Sequence, residues 1–161
     1  FFYKLSHSLW NLNLYVFARM VSQFARFITG VEIHPGAEIG KNLFLDHANS
    51  IVIGESSIIG DNCTIYHGVT LGGLSPSENS QDQVGSKRHP TIEDNVIIGC
   101  QATILGPITI GKCSRIGASV VVLKDIPAFT TVVSANTTKL INKDKDSTFK
   151  PYAVKDIDNV K

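Results

Sequence analysis

The sequence predicts a mainly β fold, a parallel solenoid wound from six-residue repeats, and three observations carry that prediction. Ile33, Ile39, Leu45 and Ile51 stand six apart; after a two-residue slip near residue 52, Ile53, Ile59, Ile65 and Leu71 do the same. A second block runs Ile92, Ile98, Ile104, Ile110, Ile116 and Val122. The position four after each rung is mostly small or apolar, as at Ala37, Ser57, Cys63, Val69, Val96, Ala102, Ser114 and Val120. The residue directly after a rung is most often glycine, as at Gly40, Gly60, Gly72, Gly99, Gly111 and Gly117.

A helix requires apolar positions near every 3.6 residues and an isolated strand alternates with period two, so a sustained six fits neither. It fits a coil in which each hexad supplies a short strand and a corner. Three hexads close a triangular turn, and successive turns stack through parallel ladders about 4.8 Å apart. The rungs then point inward and form one continuous core. A glycine after a rung suits a corner needing either positive φ or close backbone approach.

The segments follow in order. Residues 1–30 read as a helical segment: Leu5, Leu9, Leu12, Val16, Met20 and Phe24 recur at three-to-four spacing without Pro or Gly. Residues 31–138 carry the ladder, which fades after Ile126. Residues 74–90 form a loop between Leu71 and Ile92, rich in Ser, Asn, Gln and Asp, and loops of that length in a compact domain usually serve function. Residues 139–161 carry many Lys and Asp and few large apolar groups, the pattern of a solvated tail.

Composition narrows the function classes. The length of 161 residues suggests one domain, and 43% hydrophobic content is that of a soluble globular protein. A net charge of +1, without a basic stripe interleaved with aromatics, disfavours nucleic acid. Lys4, Arg19 and Arg26 interrupt the N-terminal apolar pattern, so no membrane span is expected; a helix lying on a membrane surface is the alternative for that segment. Cys63, Cys100 and Cys113 lack CxxC or zinc-ligand spacing, which points to a reduced, cytoplasmic compartment, with Cys63 packed inward in the core.

The histidines are the candidate chemistry. His47 lies two after Leu45 and His67 two after Ile65, so one corner of the coil stacks them. Cys100, two after Ile98, and Ala118, two after Ile116, continue the column. Two imidazoles ending a groove of small residues suit a long ligand whose reactive end meets the histidines. His7 reads instead as a hydrogen-bonded surface residue. Clustered His and carboxylates can also hold metal, but no HxH or HExxH spacing supports a metal site here.

Taken with the ladder, Glu32-Ile-His-Pro-Gly-Ala, Leu45-Asp-His-Ala, Ile53-Gly-Glu, His67-Gly-Val-Thr-Leu-Gly-Gly and Lys87-Arg-His-Pro-Thr make the chain resemble the serine O-acetyltransferases, within the hexapeptide-repeat acyltransferase superfamily. The resemblance runs from about Tyr3 to Pro127. It implies a left-handed parallel β-helix and transfer of acetyl from acetyl-CoA to the L-serine hydroxyl, giving O-acetylserine for cysteine biosynthesis. It also implies a homotrimer with active sites between subunits, and acetyl-CoA as co-substrate with no bound cofactor and no metal. By position, His47 matches the general base and Glu32 the acid that orients it, with His89 completing the catalytic set. Asp46, Arg88 and His89 match residues that hold the amino acid, Arg88 being suited to a carboxylate by its bidentate fork. His67, Gly72, Gly73, Cys100 and Ala118 match positions lining the acetyl-CoA channel.

The chain departs from the family pattern in several places. It resembles a short form without most of the N-terminal helical domain, including an aspartate that contacts the amino acid. The loop over residues 74–87 is longer, and Ser134-Ala-Asn-Thr-Thr-Lys139 replaces the usual Gly-x-Pro-Ala-Arg. The C-terminal residue is Lys161 rather than the Ile through which many members bind the next enzyme, so that complex is not expected. These departures keep two alternatives open: a sugar or polysaccharide O-acetyltransferase using acetyl-CoA, and a non-catalytic β-helix scaffold.

Overall fold

A computed structural model describes residues 1–74 and 85–134. Most of the loop between Leu71 and Ile92, the substituted motif beyond Ser134 and the tail over residues 139–161 lie outside the described residues.

The rungs organise three parallel sheets. Sheet A joins β1 (Glu32–Ile33), β4 (Val52–Ile53), β7 (Thr70–Gly72), β10 (Thr103–Leu105) and β13 (Val121–Val122) in that spatial order. Sheet B joins β2 (Glu38–Ile39), β5 (Ile58–Ile59), β8 (Thr91–Ile92) and β11 (Thr109–Ile110). Sheet C joins β3 (Phe44–Asp46), β6 (Thr64–Tyr66), β9 (Ile97–Ile98), β12 (Arg115–Ile116) and β14 (Thr131–Val132). Consecutive strands visit A, B and C in turn, so the chain is a parallel β-helix of triangular section. Along each sheet the inward residues align: Ile33, Ile53, Leu71, Ile104 and Val122 in A, and Leu45, Ile65, Ile98, Ile116 and Val132 in C. Most of this column is fully buried, and Cys63, Val69, Val96, Ala102 and Ser114 fill the corners at 0% exposure.

Two readings of the ladder change. Ile51 is not a rung: it is buried beside Val69 in the corner column, and Ile53 pairs with Ile33 as the inward residue of sheet A. The slip therefore falls in the corner between Asp46 and Ile51, which holds two more residues than the corner above it. The ladder also runs past Ile126, which bridges to Ile110, and continues to Val132 in β14.

The glycines after rungs serve close approach. A Cβ on Gly60 would lie 2.9 Å from Asp94 N, one on Gly99 2.7 Å from Ala118 N, and one on Gly111 2.4 Å from Ala128 N. Positive φ falls on other corner residues: Asn42, Asn62, Asn95, Cys113 and Phe129 lie between 57° and 61°. Asparagine tolerates that region better than most residues, and Asn42 donates its side-chain amide to Asn62 Oδ1 at 3.0 Å, linking neighbouring coils.

The N-terminal segment is a helix pair, α1 (Phe2–Asn11) and α2 (Tyr15–Thr29), ended by Gly30 at φ 71°. The residues the pair buries are small, namely Ser6, Ala18 and Ser22, while Leu12, Val16, Met20 and Phe24 of the apolar stripe remain exposed. Three α1 side chains grip the first A-to-B corner. Tyr3 donates its hydroxyl to Ala37 O at 2.7 Å, and burial raises its pKa. His7 Nδ1 donates to Pro35 O at 2.7 Å, since a carbonyl can only accept, and Trp10 packs edge-on against His34 with ring centroids 4.9 Å apart. Among the described residues no helix is long and apolar enough to cross a membrane.

Candidate active site

The predicted residues fall on two edges of the prism, both bordering sheet A. The C-to-A edge carries the histidine column. Pairing of Asp46 with Tyr66 puts His47 beside His67, and pairing of Ile65 with Ile98 and Ile98 with Ile116 puts Cys100 and then Ala118 in line. Backbone bonds tie the same corners together, from Gln101 N to His67 O at 2.9 Å and from Ser119 N to Cys100 O at 2.8 Å.

His47 stands apart in its backbone. The regular left-handed residue of this corner is Ser50, Gly68, Gln101 or Ser119 in successive coils, whereas the two-residue insertion adds His47 at φ 54° and Ala48 at φ 42°. Non-glycine residues held there are uncommon and cluster at functional sites. The result lifts the imidazole outward, 76% exposed, with Asp46 Oδ1 3.9 Å from its Nε2. The His47 and His67 rings meet edge to face, centroids 5.9 Å apart. His67 Nδ1 is buried without a hydrogen-bond partner. Glu32, expected to orient His47, forms an ion pair with Arg26 of α2 at 3.0 Å.

The A-to-B edge carries the second half. Here, between β7 and β8, Arg88 and His89 lie against Gly54, Glu55 and Ser56 of the coil below. Arg88 forms an ion pair with Glu55. His89 is 8% exposed, and its ring lies on Gly54 so closely that a Cβ there would come within 2.0 Å of its Cδ2. Burial, reinforced by Arg88, lowers the pKa of His89, and burial followed by Arg19 lowers that of His34 two coils away. Lys87 spans the corner by donating to Ser56 O at 2.5 Å, and burial lowers its pKa. Gly73 is here too, its α-carbon facing the Arg88 backbone. A hollow of about 280 Å³ lined by Trp10, Glu38, Glu55, Ser56, Lys87 and Arg88 opens beside them.

One chain therefore brings His47, Asp46, His67, Cys100 and Ala118 together on one edge, and Arg88, His89, Gly72 and Gly73 together on another. It does not bring the two sets together. Sequence reasoning assigned no role to Glu55, although it stands in the Ile53-Gly-Glu motif, and it missed Ser56 and His34. Ser56 left no signal, because its partners come from a coil far away in sequence. Cys63 packs as expected: burial raises its pKa, and its thiol donates to Glu93 O at 3.1 Å. Among the described residues no cluster of three or more His, Cys, Asp or Glu could hold a metal ion.

The chain has the architecture of the hexapeptide-repeat proteins, a parallel β-helix of hexads, and the family described as "Bacterial transferase hexapeptide (six repeats)" matches residues 89–124. The chain is 50% identical over 143 residues to the serine acetyltransferase of Helicobacter pylori strain J99, covering 89% of this chain and 79% of that one. It belongs to the serine acetyltransferase family. The Neisseria gonorrhoeae serine acetyltransferase solved in complex with serine superposes with a TM-score of 0.76 at 40% identity, over 84% of this chain and 52% of that one. A serine acetyltransferase solved in complex with CoA superposes at 0.74 with 38% identity, again over 84% and 52%. The chain thus spans about half the length of those solved proteins.

Proposed function

We propose that this protein transfers acetyl from acetyl-CoA to the hydroxyl of L-serine, giving O-acetylserine, in the cytoplasm. The observation that carries the reading is the pairing of an outward His47 at the foot of a column of His67, Cys100 and Ala118 with a carboxylate-binding corner at Arg88 and His89. A long thioester suits the column, and an amino acid suits the corner.

A serine hydroxyl is a poor nucleophile at neutral pH. Neutral His47 takes its proton as the oxygen attacks the thioester carbonyl, and such general-base help is worth about 10²- to 10⁴-fold. The C–S bond then breaks, and the proton passes from the imidazolium to the departing thiolate. Asp46, the carboxylate nearest His47, and Glu32 supply the negative charge that stabilises the imidazolium. Arg88, oriented by Glu55, meets the serine carboxylate beside His89. Backbone N–H groups at Gly72 and Gly73 are the candidate donors to the tetrahedral oxyanion.

Because His47 and His89 occupy different edges of one chain, a complete site requires two copies meeting edge to edge. A homotrimer closes three such sites. Val121, Leu123, Phe129 and Val133, exposed by 57% to 72% on the solenoid, support burial against a neighbour. The three unpaired cysteines suit a reduced compartment.

A thiol-release assay with acetyl-CoA tests the reading, comparing L-serine with a panel of sugars and nucleotide sugars. Saturable release with serine alone is expected. Release with sugars alone would make the protein a sugar O-acetyltransferase, and folded protein releasing no CoA with any acceptor would make it a scaffold.

A further inference from the structure

Ser56 makes a set of contacts that the reaction above does not use. Its backbone N–H points at His89 Nδ1 from 3.1 Å, and its hydroxyl oxygen lies 2.9 Å from the same nitrogen. That oxygen also accepts the backbone N–H groups of Arg88 at 3.0 Å and His89 at 3.1 Å.

The proton positions follow by elimination. A backbone N–H can only donate, so Nδ1 must present a lone pair. With two N–H groups on its oxygen, the Ser56 hydroxyl has its own proton left for Nδ1. A neutral imidazole carries one donor and one acceptor nitrogen. The His89 proton therefore resides on Nε2, on the side of the ring that rests on Gly54. An imidazolium would set Nδ1–H against two donors. The buried setting disfavours that cation independently, with Arg88 and Lys87 adding repulsion, His34 doing so when charged, and Glu55 opposing them.

We propose that Ser56 is a positioning residue that locks His89 as the neutral Nε2–H tautomer, so that His89 serves acetyl transfer as a hydrogen-bond donor to an anionic oxygen of the reactants and not as a second base. The two imidazoles of the site then have separate tasks: His47 takes a proton, and His89 keeps one. The task given to His89 rests on the reading of the protein as an acetyltransferase; the tautomer itself does not.

Long-range ¹H–¹⁵N correlation of histidine-labelled protein, with His89→Gln to assign the signal, reads the tautomer without turnover. The wild-type His89 is expected as Nε2–H at neutral pH. Ser56→Ala is expected to raise its titration midpoint and to lower kcat/KM with serine roughly ten- to hundredfold, the scale of a buried group losing its partner. Ser56→Thr, which restores the hydroxyl, is expected to recover both. An Nδ1–H or doubly protonated His89 in the wild type would overturn the inference, as would Ser56→Ala leaving its titration unchanged. A locked Nε2–H signal in protein that acetylates no serine would uphold the tautomer and discard the proposed reaction instead. If the carboxylate is the acceptor, His89→Gln raises KM for serine; if the oxyanion is, it lowers kcat.

Discussion

The rings of His47 and His67 lie 5.9 Å apart with their planes at 83°, an edge-to-face contact between residues one coil apart. That contact exists because the insertion in the first coil lifts His47 into a left-handed backbone while leaving the rungs on either side in register. It places the more exposed imidazole at the mouth of the column and the other against its wall.

Replacing His47 by Ala removes the proposed base without touching the core, since the side chain is largely exposed. The expected outcome is a fall in kcat of about 10²- to 10⁴-fold with the melting temperature unchanged. Thiol release and thermal unfolding on the same preparation check both halves.

Arg88→Lys keeps the charge and loses the planar fork that meets a carboxylate in two bonds. It also changes the partner of Glu55. The expected result is an increase of about tenfold or more in KM for serine, with KM for acetyl-CoA little changed, measured by varying each substrate in turn.

Gly54→Ala forces a methyl carbon to within 2.2 Å of His89 Nε2, so the ring must leave its seat. A drop in both activity and melting temperature is expected. Overpacking of this kind costs about 1–3 kcal/mol, which chemical denaturation can measure.

Stability should decline on mild acidification. His89 and His34 have folded pKa values below the ordinary 6.5, so the unfolded chain binds more protons as pH falls below that value. Their contribution is complete above 6.5 and is lost as pH drops through the lowered folded values. Urea unfolding between pH 8 and 5 should show this decline, and His34→Asn should flatten part of it.

Trp10 is the sole tryptophan, and its ring packs on His34. Its fluorescence therefore reports whether α1 is docked on the first corner. Tyr3→Phe, which deletes the bond to Ala37 O, should weaken docking by about 1 kcal/mol and shift the emission change to lower denaturant without altering the solenoid's own transition.

The solenoid was legible because its core repeats: each buried Ile or Leu answers a neighbour a fixed number of residues away, and period six has no other simple realisation. Ile51 misled that reading because a corner apolar residue and a rung look alike in sequence, and only pairing of Ile33 with Ile53 separates them. The apolar stripe of the N-terminal helices was legible as a pattern, but the residues the helix pair buries are the small Ser6, Ala18 and Ser22, whose burial no apolar pattern announces. Ser56 and Glu55 belong to the second coil and serve residues 33 positions further along the chain, so no local spacing could join them to His89 and Arg88.

By itself, then, the sequence determined the repeat, the inward column, the stacking of His47, His67, Cys100 and Ala118, and the family to which such motifs belong. Register is a counting property, and counting survives without coordinates. The tertiary structure alone decided that Glu32 meets Arg26, that His89 is seated on Gly54 and held by Ser56, and that the two histidine-bearing edges of one chain stand apart. Those facts depend on which corner of the triangle each residue turns around, a property of closure in three dimensions that no one-dimensional period encodes.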